Sequence, residues 1–322
     1  MSGERKRPLK VGLVLPTVGE WMAGATARWK DMVTIARHAE DIGFDSIWIN
    51  DHLYFRWGAP HDPTRGTWEC WSLLSAIAAI TTRVEIGTLV VGTGFRNPAL
   101  LAKAADAVDD ISGGRLVLGL GAGYHEPEYR AFGYPYDHLV SRFEESLIII
   151  HTLLREGNID FNGKYHQARD CELVPRLSPR NGPPILMGPR PNSPRMLGLM
   201  AKYADYWTAV LVHDMETYQP MKEAVDAACL KAGRDPSTLM RTVMPSVNVP
   251  GLEASRDMTS WVRPFRLSYN RGDPLTGSVD AVSDQIRAFA AAGVSHMPVW
   301  LDPLSIQGID GFARVLEALD RA

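Results

Sequence analysis

Short apolar runs rich in β-branched residues alternate along the chain with longer segments that have helical spacing. Residues 10–15 predict a strand, and residues 29–42 predict a helix that ends at Gly43. The alternation continues with predicted strands at 45–49, 84–91, 115–120, 184–187, 206–210, 241–249 and 296–301. Helices are predicted at 68–80, from Asn97-Pro98 onward, and at 139–155, 193–203, 215–232, 279–292 and 309–319. Eight β-then-α units favour a parallel sheet closed into a (β/α)8 TIM barrel, and a doubly wound open sheet is the alternative.

Three segments are too long to be simple connections, namely residues 54–66, 157–182 and 251–277. The first and third follow strands, so we expect them as insertions at the C-terminal mouth of the barrel. The second follows a helix and contains the hairpin-like stretch NIDFNGKYH, so it starts at the opposite face. No Pro/Ser-rich linker divides the chain, which favours one domain over residues 1–322.

Composition narrows the class of protein. The chain is 45% hydrophobic and 22% charged, with a net charge of −3, which makes nucleic acid an unfavourable partner. Its three cysteines are far apart, without metal-site or disulfide spacing. We see no apolar run long enough to cross a membrane and no signal peptide. These features predict a cytoplasmic protein.

Polar residues follow strand 2 directly. Asp51 and His52 come after the apolar run IWI, at the end of the barrel where active sites lie. Histidine suits acid/base work because its pKa lies near neutrality. The plain alternative is a turn-capping Asp beside a surface His.

The end of strand 4 reads GLGAGYHEPEY. Its glycines do not fit a dinucleotide-binding fingerprint, since the spacing fails and no helix starts at once. Gly123 allows close approach of the backbone, while Glu126 and Glu128 are candidate proton donors and His125 could face a substrate. Either acid could equally be a solvated loop carboxylate.

Strand 5 ends in ILMGPRPNSPRML, which predicts a helix with Ser193 as N-cap and Pro194 in its first turn. Exposed N–H groups and the helix dipole attract a phosphate there, and Arg190 and Arg195 could add charge-assisted bonds. An ordinary capped helix with stray arginines is the alternative.

Three stretches, together with RFEE at 142–145, resemble the luciferase-like monooxygenase superfamily, especially its coenzyme F420-dependent branch. They are SIWINDH from Ser46, residues 84–133, and PPILMGPRPNSPRMLGLMAKYADYW from Pro183. The resemblance implies a barrel that holds an isoalloxazine-type ring at its mouth, with FMN or the deazaflavin F420 as cofactor. The Asp51-His52 pair favours F420, with FMN as the alternative.

The resemblance also implies roles for single residues. His52 and Glu126 would be catalytic, and a non-proline cis bond at Thr88–Leu89 would form a bulge behind the ring. The cofactor contacts would be Asp51, Thr88, Leu89, Val91, Gly92, Ala122, Gly123, His125, Gly188, Arg190, Ser193 and Arg195. The segment GPRPNSPRML is bulkier than the family's usual phosphate-binding pattern and carries two extra prolines.

Three functions remain open: an F420-dependent oxidoreductase, an FMN-dependent monooxygenase served by a flavin reductase, and a barrel that binds a ligand without catalysis. Many relatives are dimers, so a homodimer is also an expectation. Most tryptophans, Trp300 among them, are expected in the core, while Trp57 and Trp261 are substrate-wall candidates with Tyr54 and Phe55. Three arginines after strand 7 could meet an anionic substrate or simply be solvated: Arg263, Arg266 and Arg271.

Overall fold

The computed structural model describes residues 7–56, 64–255 and 273–321. Eight parallel strands form a closed barrel, because the first strand, β1, pairs with both the second and the last strand of the ring. In ring order these strands are β1 (Lys10–Val14), β2 (Ser46–Ile49), β5 (Glu85–Thr88), β7 (Leu116–Gly121), β10 (Ile185–Met187), β11 (Tyr206–Val210), β12 (Met240–Met244) and β14 (His296–Asp302). The predicted TIM barrel is therefore confirmed over the open sheet.

Helices cover the outside of this ring. They are α1 (Trp29–Ile42), α2 (Cys70–Ile80), α3 (Pro98–Ile111), α4 (Glu126–Phe132), α5 (Leu139–Glu156), α6 (Pro194–Tyr203), α7 (Met215–Lys231), α8 (Val279–Ala291) and α9 (Ile306–Asp320). The predicted end of α1 is confirmed, since Gly43 has a φ of 111° that most other residues avoid. The predicted cap of α3 is confirmed as well, since the Asn97 side chain accepts a hydrogen bond from Leu100 N–H at 3.1 Å.

Two predicted strands are interrupted in the structure. The strand predicted at 84–91 divides into β5 and the short β6 (Val91–Gly92), which continues to pair with β7. The strand predicted at 241–249 divides at Pro245 into β12 and β13 (Ser246–Asn248). Proline cannot donate to a strand ladder, which explains the second break. Helix α4 was not predicted, because its seven residues give too short a periodic pattern.

Two antiparallel hairpins lie outside the barrel. The pair β3 (Tyr54–Phe55) and β4 (Arg65–Gly66) brackets part of the first long insertion. The pair β8 (Asn158–Asn162) and β9 (Gln167–Glu172) confirms the hairpin predicted in the second. Most of the third insertion lies outside the described residues.

The amino-terminal part of the barrel interior is filled around Trp48, whose side chain is fully buried. Its indole N–H donates to Ser46 Oγ at 2.7 Å, and the same hydroxyl lies 2.6 Å from His296 Nε2. Gly12 and Gly87 provide the space, because a Cβ at either position would lie within 2.6 Å of the indole. Open space in the barrel is therefore left for the opposite, carboxyl end.

Stability is expected to fall in acid because of His296. Burial, with the nearby charge of Lys10, lowers the pKa of its imidazole to about 3, against about 6.5 in an unfolded chain. Glu85 also faces the ring, 3.8 Å from Nδ1. Between these pH values the unfolded chain binds one proton more than the folded chain. The free energy of unfolding therefore decreases by up to ~1.4 kcal/mol for each pH unit by which the pH falls.

Urea unfolding of the wild type and His296→Asn from pH 7 to pH 4 measures this effect. The wild type should lose stability more steeply than the variant below about pH 6.5. Equal slopes for the two proteins would contradict the assignment to His296.

Candidate active site

A cavity of about 640 Å³ opens where the barrel strands end. Each of the eight strands contributes a lining residue at or near its carboxyl end: Val14, Asn50, Leu89, Leu120, Gly188, Val210, Met244 and Trp300. Its size is ordinary for a small-molecule site, and its position is the one at which barrel enzymes carry their active sites.

Ten of the residues predicted for the site line this cavity: Asp51, His52, Leu89, Val91, Gly92, Ala122, Gly123, Gly188, Arg190 and Ser193. The structure therefore brings together segments that lie more than a hundred residues apart in the chain. Four other predicted residues are not in its lining: Thr88, His125, Glu126 and Arg195.

His52 is held by a buried carboxylate. Its Nδ1 lies 2.9 Å from Glu128 Oε1, and the other oxygen of Glu128 accepts from Leu53 N–H at 2.8 Å. The Glu128 side chain is only 1% exposed. Because an ionised carboxylate can only accept, we infer that Nδ1 carries the proton, while Nε2 lies 3.4 Å from the hydroxyl of Tyr124. Nε2 is then the imidazole atom that can accept a proton from a bound molecule.

Asp51 is buried, and both of its oxygens are used by the protein. Arg96 donates to them through two nitrogens, at 2.5 and 2.9 Å, and Gly92 N–H donates at 3.0 Å. Burial alone would lower the pKa of Arg96, but the charge of Asp51 and the hydrogen bonds with Asp51 and Glu69 raise it. Asp51 thus fixes the backbone at β6, and it lines the cavity without an uncommitted oxygen.

The backbone bulge after β5 lies one residue later than predicted. The non-proline cis bond joins Leu89 and Val90, whereas Thr88–Leu89 was expected. Thr88 is still in register with Ile49 of β2, and its hydroxyl donates to Gly119 O of β7 at 2.9 Å. Thr88 is therefore a link between strands, and Leu89, Val90 and Val91 supply the apolar wall.

The segment after β7 turns sharply at Gly123, which has a φ of 80°. A Cβ at this position would lie 1.8 Å from the hydroxyl of Tyr129, so no other residue fits without movement. That hydroxyl donates to Ala122 O at 3.1 Å. Ala122 and Gly123 line the cavity through this packed turn.

The amino terminus of α6 forms another part of the lining, through Gly188, Arg190 and Ser193. Ser193 occupies the predicted N-cap position, but its hydroxyl makes no capping bond. Arg195 points elsewhere, since it pairs with Glu144 and donates to Ser141 Oγ at 2.9 Å on α5. Of the two arginines predicted to meet an anion, Arg190 is in the cavity lining and Arg195 is not.

The two acids after β7 lie in different surroundings. Glu126 is half exposed and pairs with Arg130 at 2.8 Å on the surface of α4, outside the cavity lining. Glu128 is the buried acid because the first turn of α4 directs it towards His52. His125 is buried beside this pair, and burial lowers the pKa of its imidazole.

Aromatic rings line the side of the cavity next to His52. The imidazole lies 4.2 Å from the ring of Phe55, Phe55 lies 6.3 Å from Trp21, and Trp21 lies 4.3 Å from Trp300. We call Trp21, Phe55 and Trp300 the aromatic wall. Phe55 was predicted for this wall. Trp300 was assigned to the core, and it does belong to a buried hydrophobic cluster, but it also lines the cavity. Trp57 and Trp261 lie outside the described residues, as do Arg263, Arg266 and Arg271.

Four buried polar atoms on lining residues have no hydrogen-bond partner in the described parts of the chain. They are Trp21 Nε1, Asn50 Nδ2, Thr208 Oγ1 and Trp300 Nε1. Such groups are costly unless something binds them. Trp21 lies in the loop after β1, outside the periodic segments, so no sequence pattern singled it out. Thr208 and Trp300 lie within the last three residues of their strands, where a site residue could be sought.

In residues 7–56, 64–255 and 273–321, no helix is both long and apolar enough to cross a membrane. The same ranges hold no group of three or more His, Cys, Asp or Glu side chains placed to bind a metal ion. All three cysteines are free thiols.

Comparison with known proteins agrees with this geometry. The model of the luciferase-like monooxygenase family matches residues 9–271. An F420-dependent glucose-6-phosphate dehydrogenase of Amycolatopsis mediterranei is 35% identical over 152 residues, 46% of this chain and 44% of that protein. A pyrimidine monooxygenase of Agrobacterium fabrum is 32% identical over 184 residues, 55% of this chain and 49% of that protein. The chain thus spans about half the length of these curated relatives.

A solved F420-dependent secondary alcohol dehydrogenase, in complex with an F420-acetone adduct, superposes with a TM-score of 0.78 at 19% identity, covering 97% of this chain and 99% of that one. This likeness supports the fold. With the family model matching most of its length, the chain belongs to the luciferase-like monooxygenase family.

Proposed function

We propose that this protein is an F420-dependent oxidoreductase that transfers a hydride between the deazaflavin and a small organic substrate. The observation that carries the proposal is His52, held by the buried Glu128 on the wall of a cavity that also contains an apolar bulge and a helix amino terminus. Hydride transfer to or from a carbon–oxygen group requires one proton to move with it, and His52 is the group in reach that can carry it.

The lining residues suit a flat ring with an anionic tail. Leu89, Val90 and Val91 form an apolar surface, and the start of α6 with Arg190 offers N–H groups and positive charge to a phosphate. The buried atoms Asn50 Nδ2 and Thr208 Oγ1 lack partners in the described chain, so polar edges of a ring could satisfy them. When bound, the cofactor would supply the carbon that gives or takes the hydride.

The remaining tasks belong to the protein. Glu128 would hold the His52 imidazole in one tautomer, so that Nε2 faces the substrate. In that tautomer the hydroxyl of Tyr124, 3.4 Å away, would donate to Nε2. Asp51 and Arg96 would keep the loop at Gly92 in place beside the bulge. The apolar wall would exclude water from the reacting carbon.

Cofactor binding and turnover test this proposal directly. Purified protein is titrated separately with F420 and FMN, with tryptophan fluorescence as the readout. We expect tighter binding of F420 and, with an accepted alcohol or ketone, a change in F420 absorbance. Absence of F420 binding would refute the proposal.

A second candidate is an FMN-dependent monooxygenase that receives reduced flavin from a reductase. The likeness to a pyrimidine monooxygenase favours it. Tight FMN binding, with oxygen consumption when reduced FMN is supplied, would support this function in place of the first.

Arg190→Met is expected to raise the Kd for F420 by about tenfold, the effect of losing one charge-assisted hydrogen bond of ~1.4 kcal/mol. Arg195→Met is the matched control, since Arg195 is engaged with Glu144 on α5. Fluorescence titration measures both values. Equal Kd values for the wild type and Arg190→Met would remove Arg190 from the site.

A further inference from the structure

The aromatic wall contains two buried donors that the protein does not use. Trp21 and Trp300 are 7% and 8% exposed, and no described residue accepts a hydrogen bond from either indole N–H. Both residues line the cavity. A buried N–H without an acceptor is unfavourable, and that cost is recovered if a bound molecule offers an oxygen.

The wall lies across the barrel mouth from the start of α6. Trp300 is on β14 and Trp21 follows β1, whereas α6 follows β10. In the ring of eight strands, β1 and β10 are four positions apart and therefore opposite. A cofactor phosphate at α6 would leave the aromatic wall to the other molecule in the cavity.

Charge further limits what the wall can bind. The acids in the described cavity lining are both engaged, Asp51 with Arg96 and Glu128 with His52. Arg190 lies at the α6 end. Two histidine rings lie against Phe55 of the aromatic wall, His52 at 4.2 Å and His125 at 5.7 Å between ring centroids, and burial lowers the pKa of His125. Aromatic rings with two N–H donors suit an uncharged, mainly apolar molecule that carries an oxygen acceptor.

We propose that Trp21 and Trp300 are specificity-determining residues of a substrate subsite, in which their indole N–H groups bind an acceptor oxygen of an uncharged, largely apolar substrate. The inference rests on the proposed function in one respect. That function assigns the α6 side of the cavity to the cofactor, so the molecule at the aromatic wall is the substrate. The binding itself is a property of this chain's own residues. Continuity of the wall with His52 brings such a molecule next to the proton carrier.

The test uses the full chain with ¹⁵N-labelled tryptophan, without cofactor and then with F420. The probes are acetophenone and ethylbenzene, which share a shape but differ in the carbonyl oxygen. The nine indole resonances are followed by NMR, and Trp21→Phe and Trp300→Phe assign two of them. We expect acetophenone to shift the Trp21 and Trp300 signals and to bind roughly two- to tenfold more tightly than ethylbenzene.

Trp207→Phe is the matched control. Trp207 is fully buried and its N–H also lacks a described partner, but it stacks on Tyr218 and is not part of the cavity lining. This variant should keep the preference for acetophenone, and Trp21→Phe and Trp300→Phe should reduce it. If a wall variant does not fold, the affinities of the wild type for acetophenone and ethylbenzene still test the inference.

Equal affinity of the wild type for the two probes, or unshifted Trp21 and Trp300 signals, would overturn the inference. Because the first measurement needs no cofactor, its result is independent of F420 binding. A selective response to acetophenone without any F420 binding would keep the subsite and refute the proposed function. F420 binding without a selective response to acetophenone would keep the proposed function and refute the subsite.

Discussion

Replacing His52 with alanine is expected to lower kcat by roughly 10²- to 10⁴-fold, the usual contribution of a general acid or base. The Kd for F420 should change far less, because His52 is assigned to the substrate's proton and not to the cofactor. Stopped-flow or steady-state absorbance of F420 measures kcat, and fluorescence titration measures Kd. A parallel loss of both quantities would remove the acid/base role.

Two further variants make this result specific. Glu128→Gln keeps a hydrogen-bond acceptor for Nδ1 but loses the charge, so we expect a smaller loss in kcat than for His52→Ala. His151→Ala is the control for loss of a histidine. Its ring packs on Tyr203, 5.1 Å away on the outer helices, and kcat should stay near the wild-type value. An unchanged kcat in His52→Ala would contradict the mechanism outright.

Arg96→Met is expected to destabilise the protein by about 3 kcal/mol, because it leaves the buried carboxylate of Asp51 without its cation. The Asp51 side chain is 1% exposed and, among the residues that the structure describes, would keep the bond from Gly92 N–H alone. Urea unfolding of the cofactor-free protein measures the loss. The same substitution should also weaken cofactor binding, since the loop at Gly92 borders the cavity.

The pairing can be isolated with a double-mutant cycle. Asp51→Asn combined with Arg96→Met removes both charges, so the pair should cost less than the sum of the two single changes. Arg195→Met breaks an exposed pair with Glu144 and should cost less than about 1 kcal/mol. Additive single effects at Asp51 and Arg96 would show that their ion pair does not hold this loop.

The site residues that could be predicted from the sequence are those that directly follow a predicted strand. Asp51, His52 and Gly123 stand just after apolar runs, so their place at the barrel mouth follows from topology. The choice between Glu126 and Glu128 could not be made in this way, because it depends on how the unpredicted helix α4 is turned. The cis bond was misplaced by one residue for a similar reason, since the point at which β5 leaves its register is set by pairing with β2 and β7.

By itself, the sequence determined the alternation of strands and helices and the end of the sheet at which polar residues collect, because these follow from periodicity and from the direction of parallel strands. It favoured a closed barrel over an open sheet, and the pairing of β1 with β14 decided between them. Only the tertiary structure decided which of those residues face each other. Asp51 is committed to Arg96, His52 to Glu128, and Trp21 lies against Trp300 from opposite ends of the chain. Such contacts depend on distances of a few ångströms between segments far apart in the chain, and closure of the barrel brings those segments together.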